Sequence, residues 1–213
     1  SYILLVLNDD HYIGQGAHRA CYCHPKNNDL CIKIPFEQSK QIKALEREFA
    51  YYKRLSKRDI NWSMLSRMLG EVETSKGVGH IYTIVRDDDN EVSKNLLHYF
   101  KAEQTALHYE VILETLKNLY NYLLNNQILP LTLYPRNIVI KFGKQPLAVI
   151  IDDIGNNELI RFSEWNKHMA KKKISRKWHR FLKHLGKENN NNTMLSSLLK
   201  ELETHYLSTI ENK

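Results

Sequence analysis

Apolar and polar positions change rhythm several times along the chain. Residues 2–7 form an apolar run, Tyr-Ile-Leu-Leu-Val-Leu, and residues 31–34 alternate as Cys-Ile-Lys-Ile. Both read as strands within a stretch, 2–34, that is punctuated by Gly14, Gly16 and the turn-like His24-Pro-Lys-Asn-Asn-Asp. Over 38–58 the period lengthens. Ile42, Leu45, Phe49, Tyr52 and Leu55 recur at three- and four-residue spacing, which predicts an amphipathic helix. Ile81-Tyr-Thr-Ile-Val85 predicts a strand ended by Arg86-Asp-Asp-Asp-Asn90. Residues 103–127 predict one long helix carrying Leu107, Val111, Leu116, Leu119, Leu123 and Leu124. Two short apolar runs, 138–140 and 147–151, flank Phe142-Gly-Lys-Gln-Pro146 and predict a hairpin. Residues 157–210 read as mainly helical and polar, interrupted by the Asn189–Asn192 loop. This order predicts an α+β organisation: a β-rich lobe over 1–86 and a mainly helical lobe over 87–213, joined near 86–95 with a cleft between them.

Composition narrows the class. Of 213 residues, 42% are hydrophobic and 26% charged, which excludes a disordered tail, a collagen-like rod and a coiled coil. No apolar run approaches the roughly 20 residues that a membrane helix needs. The apolar opening lacks a basic start and a small-residue cleavage site, so no signal peptide is expected. Three Cys, at 21, 23 and 31, are an odd count and suit a reducing cytoplasm better than a disulfide framework. Cys21-x-Cys23-His24 is too tightly spaced for a standard zinc pair, so free thiols are expected. The charge of +7, from 31 Lys and Arg against 24 Asp and Glu, favours anionic partners without choosing among them.

The candidate chemistry lies in five pieces. Gly14-Gln-Gly16 could let backbone N–H groups approach phosphate oxygens, although a plain turn explains it equally. Lys33, flanked by Ile32 and Ile34, points to the opposite face of its strand, where it could reach phosphates or simply be solvated. Glu48 lies on the apolar side of its helix and requires a cation; Lys33 is the candidate, with Glu46 as the alternative carboxylate. Asn137 precedes the strand 138–140, and Asp152-Asp153-Ile-Gly155 ends the strand 147–151. These oxygen donors could share a hard cation. Glycine loop, strand Lys, helix Glu, loop Asn and Asp-x-x-Gly, in that order, form the serial layout of a protein-kinase-like ATP site.

The chain resembles the YrbL family, PhoP-regulated small kinase-like proteins of Gram-negative bacteria. The resemblance is carried by Gly14-Gln-Gly-Ala-His-Arg-Ala-Cys-Tyr-Cys-His-Pro25, Cys31-Ile-Lys-Ile34, Arg47-Glu-Phe-Ala-Tyr-Tyr-Lys-Arg-Leu55, Leu133-Tyr-Pro-Arg-Asn-Ile138 and Asp152-Asp-Ile-Gly155. It also takes in the region of Trp165 and Trp178, and it covers the chain to about residue 185. It implies a two-lobed protein-kinase-like fold and transcription under PhoP control, and leaves the substrate open.

Within this layout Gly14, Gly16 and Lys33, held by Glu48, are expected on the phosphates of ATP, with Asn137 and Asp152 on Mg²⁺. Asp152 is preferred to Asp153 because it directly follows the buried run. Adenine is expected beside Val85 and Asp87, and Thr132 and Arg136 on the acceptor side. The layout departs from an active kinase at Thr132, which stands where the catalytic-loop Asp belongs; a Thr hydroxyl cannot take a proton at neutral pH as a carboxylate does. Three readings follow: an atypical phosphotransferase with an unknown protein or small-molecule acceptor, a pseudokinase acting as a nucleotide-dependent binding module, or a nucleotidyl transferase. The basic run 168–184 carries Ile174, Trp178, Phe181, Leu182 and Leu185 on one face. It predicts a packed helix whose charged side could meet an acidic partner or an anionic surface.

Overall fold

The computed structural model describes residues 4–16, 18–36, 42–156, 158 and 160–211. The chain folds as an α+β structure in two parts. The first is a five-stranded antiparallel sheet of β1 (Tyr12–Gln15), β2 (Arg19–His24), β3 (Asn27–Pro35), β4 (Met68–Thr74) and β5 (Gly77–Thr83). Its strand order is β1-β2-β3-β5-β4, and α1 (Ile42–Leu55) is inserted between β3 and β4.

Period-two alternation decides which side chains face where. Ile32 and Ile34 pack outward against Leu5 and Leu7, with Tyr22, Val72 and Ile81 beside them. Arg19, Cys21, Cys31 and Lys33 occupy the other face, towards α1 and the second part. There Tyr52 of α1 meets Tyr82 edge-on at 5.6 Å, and Phe49 stacks on His80 at 4.6 Å.

The second part holds a three-stranded sheet, β6 (Lys94–Asn95), β7 (Ile138–Lys141) and β8 (Leu147–Ile150), in the order β6-β7-β8. Around it lie α2 (Leu96–Tyr99), α3 (Ala102–Leu107), α4 (Tyr109–Asn126), α5 (Phe162–Trp165), α6 (Lys167–Glu188) and α7 (Thr193–Glu211). The α6 face read from the sequence is buried throughout: Ile174, Trp178, Phe181, Leu182 and Leu185 all enter the core. Trp178 stacks on Tyr120 of α4 at 5.1 Å. The two parts are stitched by backbone bonds, from Ser66 N–H to the Ile150 carbonyl (2.8 Å) and from Ile150 N–H to the Met64 carbonyl (3.0 Å). Tyr51 of α1 adds a third tie, accepting the Leu129 N–H at 2.8 Å. Among the described residues, no helix is long and apolar enough to cross a membrane.

Several expected boundaries move. Residues 2, 3, 38–41, 157 and 159 lie outside the described residues. The expected strand at 2–7 is, over its described part, an extended strap with a single bridge from Leu5 to Thr74. The strand expected at 81–85 ends at Thr83 and starts earlier, in a hairpin with β4. The helix expected over 103–127 breaks at His108 into α3 and α4. The break turns Leu107 out to solvent and buries Thr105, whose hydroxyl donates to the Tyr99 carbonyl at 2.7 Å. A buried hydroxyl takes its bond from whichever carbonyl tertiary packing offers, so periodicity does not report it.

Candidate functional site

β2, β3, α1, the loop before β7 and the end of β8 converge on a cleft of about 370 Å³ between the two parts of the fold. Gly14, Gly16, Lys33, Glu48, Asn137, Asp152 and Asp153 all line it, as do Arg19 and Arg136. Alternation along β3 aims Lys33 inwards. Its ammonium lies 4.3 Å from the Tyr82 ring centre, donates to the Ile151 carbonyl and stands 3.9 Å from Asp152 Oδ2.

Glu48 does need a cation, but the cation is not Lys33. It is Arg19, whose Nη2 lies 3.4 Å from Glu48 Oε2 and also pairs with Asp152 Oδ1. Arg19 Nη1 donates to the Tyr82 hydroxyl (3.1 Å), which donates on to Glu48 Oε1 (3.3 Å). The physical reason is reach and shape. Arg19 occupies the same sheet face as Lys33, and its planar fork satisfies two carboxylates and a phenol together, where an ammonium acts as a single point. The alternative carboxylate, Glu46, is exposed.

This network sets the proton affinities. Burial pushes the Glu48 carboxyl up to about 7, because Arg19 only partly offsets the loss of water. Burial acts the same way on Asp152, but Lys33 and Arg19 outweigh it and hold that carboxyl below its ordinary value. Asp153 is raised, by burial and by its charged neighbour Asp152. Asp153 also adopts a left-handed backbone (φ 65°), and its N–H donates to Asp152 Oδ1 at 2.8 Å. Asn137 donates to Asp153 Oδ2 at 3.4 Å.

Three oxygen-bearing side chains could contribute to a metal site here. Asn137, Asp152 and Asp153 offer hard oxygen ligands, and Mg²⁺ commonly takes one or two carboxylates plus substrate phosphates. Among the described residues, no group of three or more His, Cys, Asp or Glu could hold a metal by itself. Gly16 N–H is committed to the Arg19 carbonyl at 2.9 Å, closing the β1–β2 connection.

Three expected residues lie outside the cleft. Val85 lines a smaller, apolar cavity of about 140 Å³ that shares Ile13, Cys21, Lys33 and Ile151 with it. Asp87 lines neither cavity; its carboxylate accepts from the Ser93 hydroxyl (2.6 Å) and Phe142 N–H (2.9 Å), fastening the connection between the two parts. Asp87 is partly buried there, and these two bonds fix its position. Thr132 is exposed and lines a separate groove. The cysteines are free. Cys21, hydrogen-bonded to Cys31 and close to Lys33, has its thiol lowered to about 7.

Beyond Gly155 the chain is pinned. Arg54 of α1 pairs with Glu164 at 2.6 Å, and Lys173 with Glu158 at 3.4 Å. Arg19 and Tyr82 are the participants that motif reading missed. Their only signal is in-facing alternation on strands whose register the sequence does not announce.

Comparison with known proteins places the chain in a family. A family model described as "PhoP regulatory network protein YrbL" matches residues 5–186. Two proteins, each described as "Uncharacterized protein YrbL", from Escherichia coli strain K12 and from Shigella flexneri, are both 33% identical to the chain over 184 residues. Each alignment covers 84% of this chain and 87% of the relative.

Proposed function

The chain belongs to the YrbL family of PhoP regulatory network proteins, and on that premise we propose that it is an ATP- and Mg²⁺-binding phosphotransferase of kinase-like build. One observation carries the reading. Lys33, Asn137 and the adjacent pair Asp152 and Asp153 come from three separate segments, and all line one cleft. Such convergence of a cation with hard oxygen donors suits a magnesium-bound polyphosphate. We take 86/87 as the junction of the two lobes, and the cytoplasm as the compartment.

Each residue then has a task. Lys33 supplies a point charge to phosphate oxygens. Asn137 and Asp152 would hold the metal, with Asp153 beside them; the ion would neutralise charge on the transferring group. Arg19 competes for Asp152, so metal entry requires that its fork turn wholly to Glu48. Gly14 and Gly16 form the roof of the cleft, and the apolar cavity beside Val85 suits the base. Thr132 can orient an acceptor but not deprotonate it. Phosphoryl transfer depends mainly on position and electrostatics, so a missing carboxylate base lowers the rate without abolishing the chemistry.

A pseudokinase is the second reading. It is favoured by the Arg19–Asp152 ion pair, which occupies the proposed metal ligand, and by the exposure of Thr132 outside the cleft. Thermal unfolding with and without Mg-ATP tests the shared premise. At about 100 times its dissociation constant, the ligand is expected to add roughly 2.7 kcal/mol to the wild type, and Lys33→Ala is expected to lose the shift. No shift at millimolar Mg-ATP overturns both readings. Transfer of γ-phosphate label to an acceptor then separates the phosphotransferase from the pseudokinase.

A further inference from the structure

The groove that holds Thr132 has about 210 Å³ of space and shares only Leu131 with the main cleft. One wall is the loop 131–134. The other is a stripe of α6, where Lys177, Arg180, Phe181 and His184 follow at three- and four-residue spacing. The groove is therefore an apolar slot with Phe181 in its lining and three nitrogen-bearing side chains along one wall.

Its charged lining is cationic. Among the described residues, no carboxylate lies within ion-pair distance of Lys177 or Arg180, and His184 pairs with Glu188 at 3.1 Å. The Lys177 ammonium is held in place by the Leu131 carbonyl at 2.6 Å. Leu131 N–H in turn donates to the Asp153 carbonyl at 2.9 Å, so the groove wall is tied directly to the cleft. Burial and the neighbouring cations Lys173, Arg180 and Arg176 lower the proton affinity of Lys177, and the Asp153 carboxylate only partly offsets them.

We propose that this groove binds the phosphate group of a small phosphomonoester, with Arg180 and Lys177 as its cationic partners and the Thr132 hydroxyl as a third. Arg presents a planar fork suited to phosphate oxygens, and charge-assisted hydrogen bonds are the strong ones. Tyr134, the aromatic ring beside the loop wall, already carries the Arg136 guanidinium at 4.8 Å. That the bound molecule is the acceptor rests on the phosphotransferase reading; that it binds does not.

The test therefore uses the full chain without nucleotide. Inorganic phosphate and glycerol 2-phosphate are titrated calorimetrically, with glycerol as the uncharged control. Saturable binding of both phosphates is expected, with none of glycerol. Arg180→Ala, at an exposed position where the fold should be retained, is expected to weaken it about 10-fold or more, and Arg180→Lys, which keeps the charge, to weaken it less. The inference is overturned if neither phosphate saturates by about 10 mM, a range in which any useful site would fill. It is equally overturned if Lys33→Ala abolishes binding and Arg180→Ala does not, since the anion would then sit in the main cleft. Arg180-dependent phosphate binding without any Mg-ATP shift would keep the groove and remove the ATP reading.

Discussion

At Arg19 a single guanidinium serves two carboxylates and a phenol in a buried setting, and Glu48 is left with the weaker share. Removing one partner of a buried ion network leaves the others desolvated and unpaired, which costs about 3 to 5 kcal/mol. Arg19→Met is expected to lose stability on that scale in denaturant unfolding, and to show strong coupling to Glu48→Gln in a double-mutant cycle. Lys33→Met should couple to Glu48→Gln far less. Equal coupling would restore Lys33 as the partner of Glu48. The deficit also has a pH sign. Without Arg19, Asp152 and Glu48 bind protons more readily in the folded state, so folding recovers as pH falls. The gap between wild type and Arg19→Met should be widest above pH 7, where Glu48 is ionised, and should narrow towards pH 4. Lys33, Glu48, Asn137 and Asp152 were legible as candidates because motif order picks them out. Arg19 was not, because whether a long side chain reaches Glu48 or solvent depends on strand register and helix docking, neither of which is written locally.

Among the elements, legibility followed the strength of the local pattern. The stripe of α6 and the hairpin of β7 and β8 could be read because their apolar spacing is unambiguous. β4 escaped notice, since Met68–Thr74 mixes Gly70 and two Glu into its run. The break at His108 escaped because propensity on both sides favours helix, and only the docking of Thr105 interrupts it. Glycines separate local from tertiary demands in the same way. A Cβ on Gly79 of β5 would lie 2.6 Å from the Ile32 side chain, 3.0 Å from that of Ile34 and 3.1 Å from the Lys33 carbonyl. A Cβ on Gly14 would meet nothing within 4 Å. Gly79→Ala is accordingly expected to cost about 1 to 3 kcal/mol through overpacking, and Gly14→Ala to change stability by no more than about 0.5 kcal/mol. Thermal unfolding of the two variants checks the contrast, and a fully stable Gly79→Ala would refute the close approach.

For the whole molecule, the order of motifs made the α+β build visible, while the share of the last helix in the core was not. The family match ends at residue 186, yet α7 lies beyond it and places Leu195, Leu198 and Leu202 fully inside the same core as Trp178. Leu202→Ala is expected to cost about 2 to 5 kcal/mol, as truncation of a fully buried leucine does. The cost should appear in one cooperative transition, because α7 and α6 share that core. An early, separate melting of α7 would show that the helix is an accessory.

The strap of residues 4–7 has a bearing on how these molecules behave towards one another. Besides covering Ile32 and Ile34, it bonds to Glu73 and Ser75 along the free side of β4, the last strand of its sheet. An uncovered sheet border with apolar residues behind it is a template on which neighbouring chains stack. The strap therefore acts as a guard for colloidal solubility as well as a lid on the core. Any fusion or processing event that lifts it would be felt first as aggregation in concentrated solution, before the cleft on the opposite face of the sheet was disturbed.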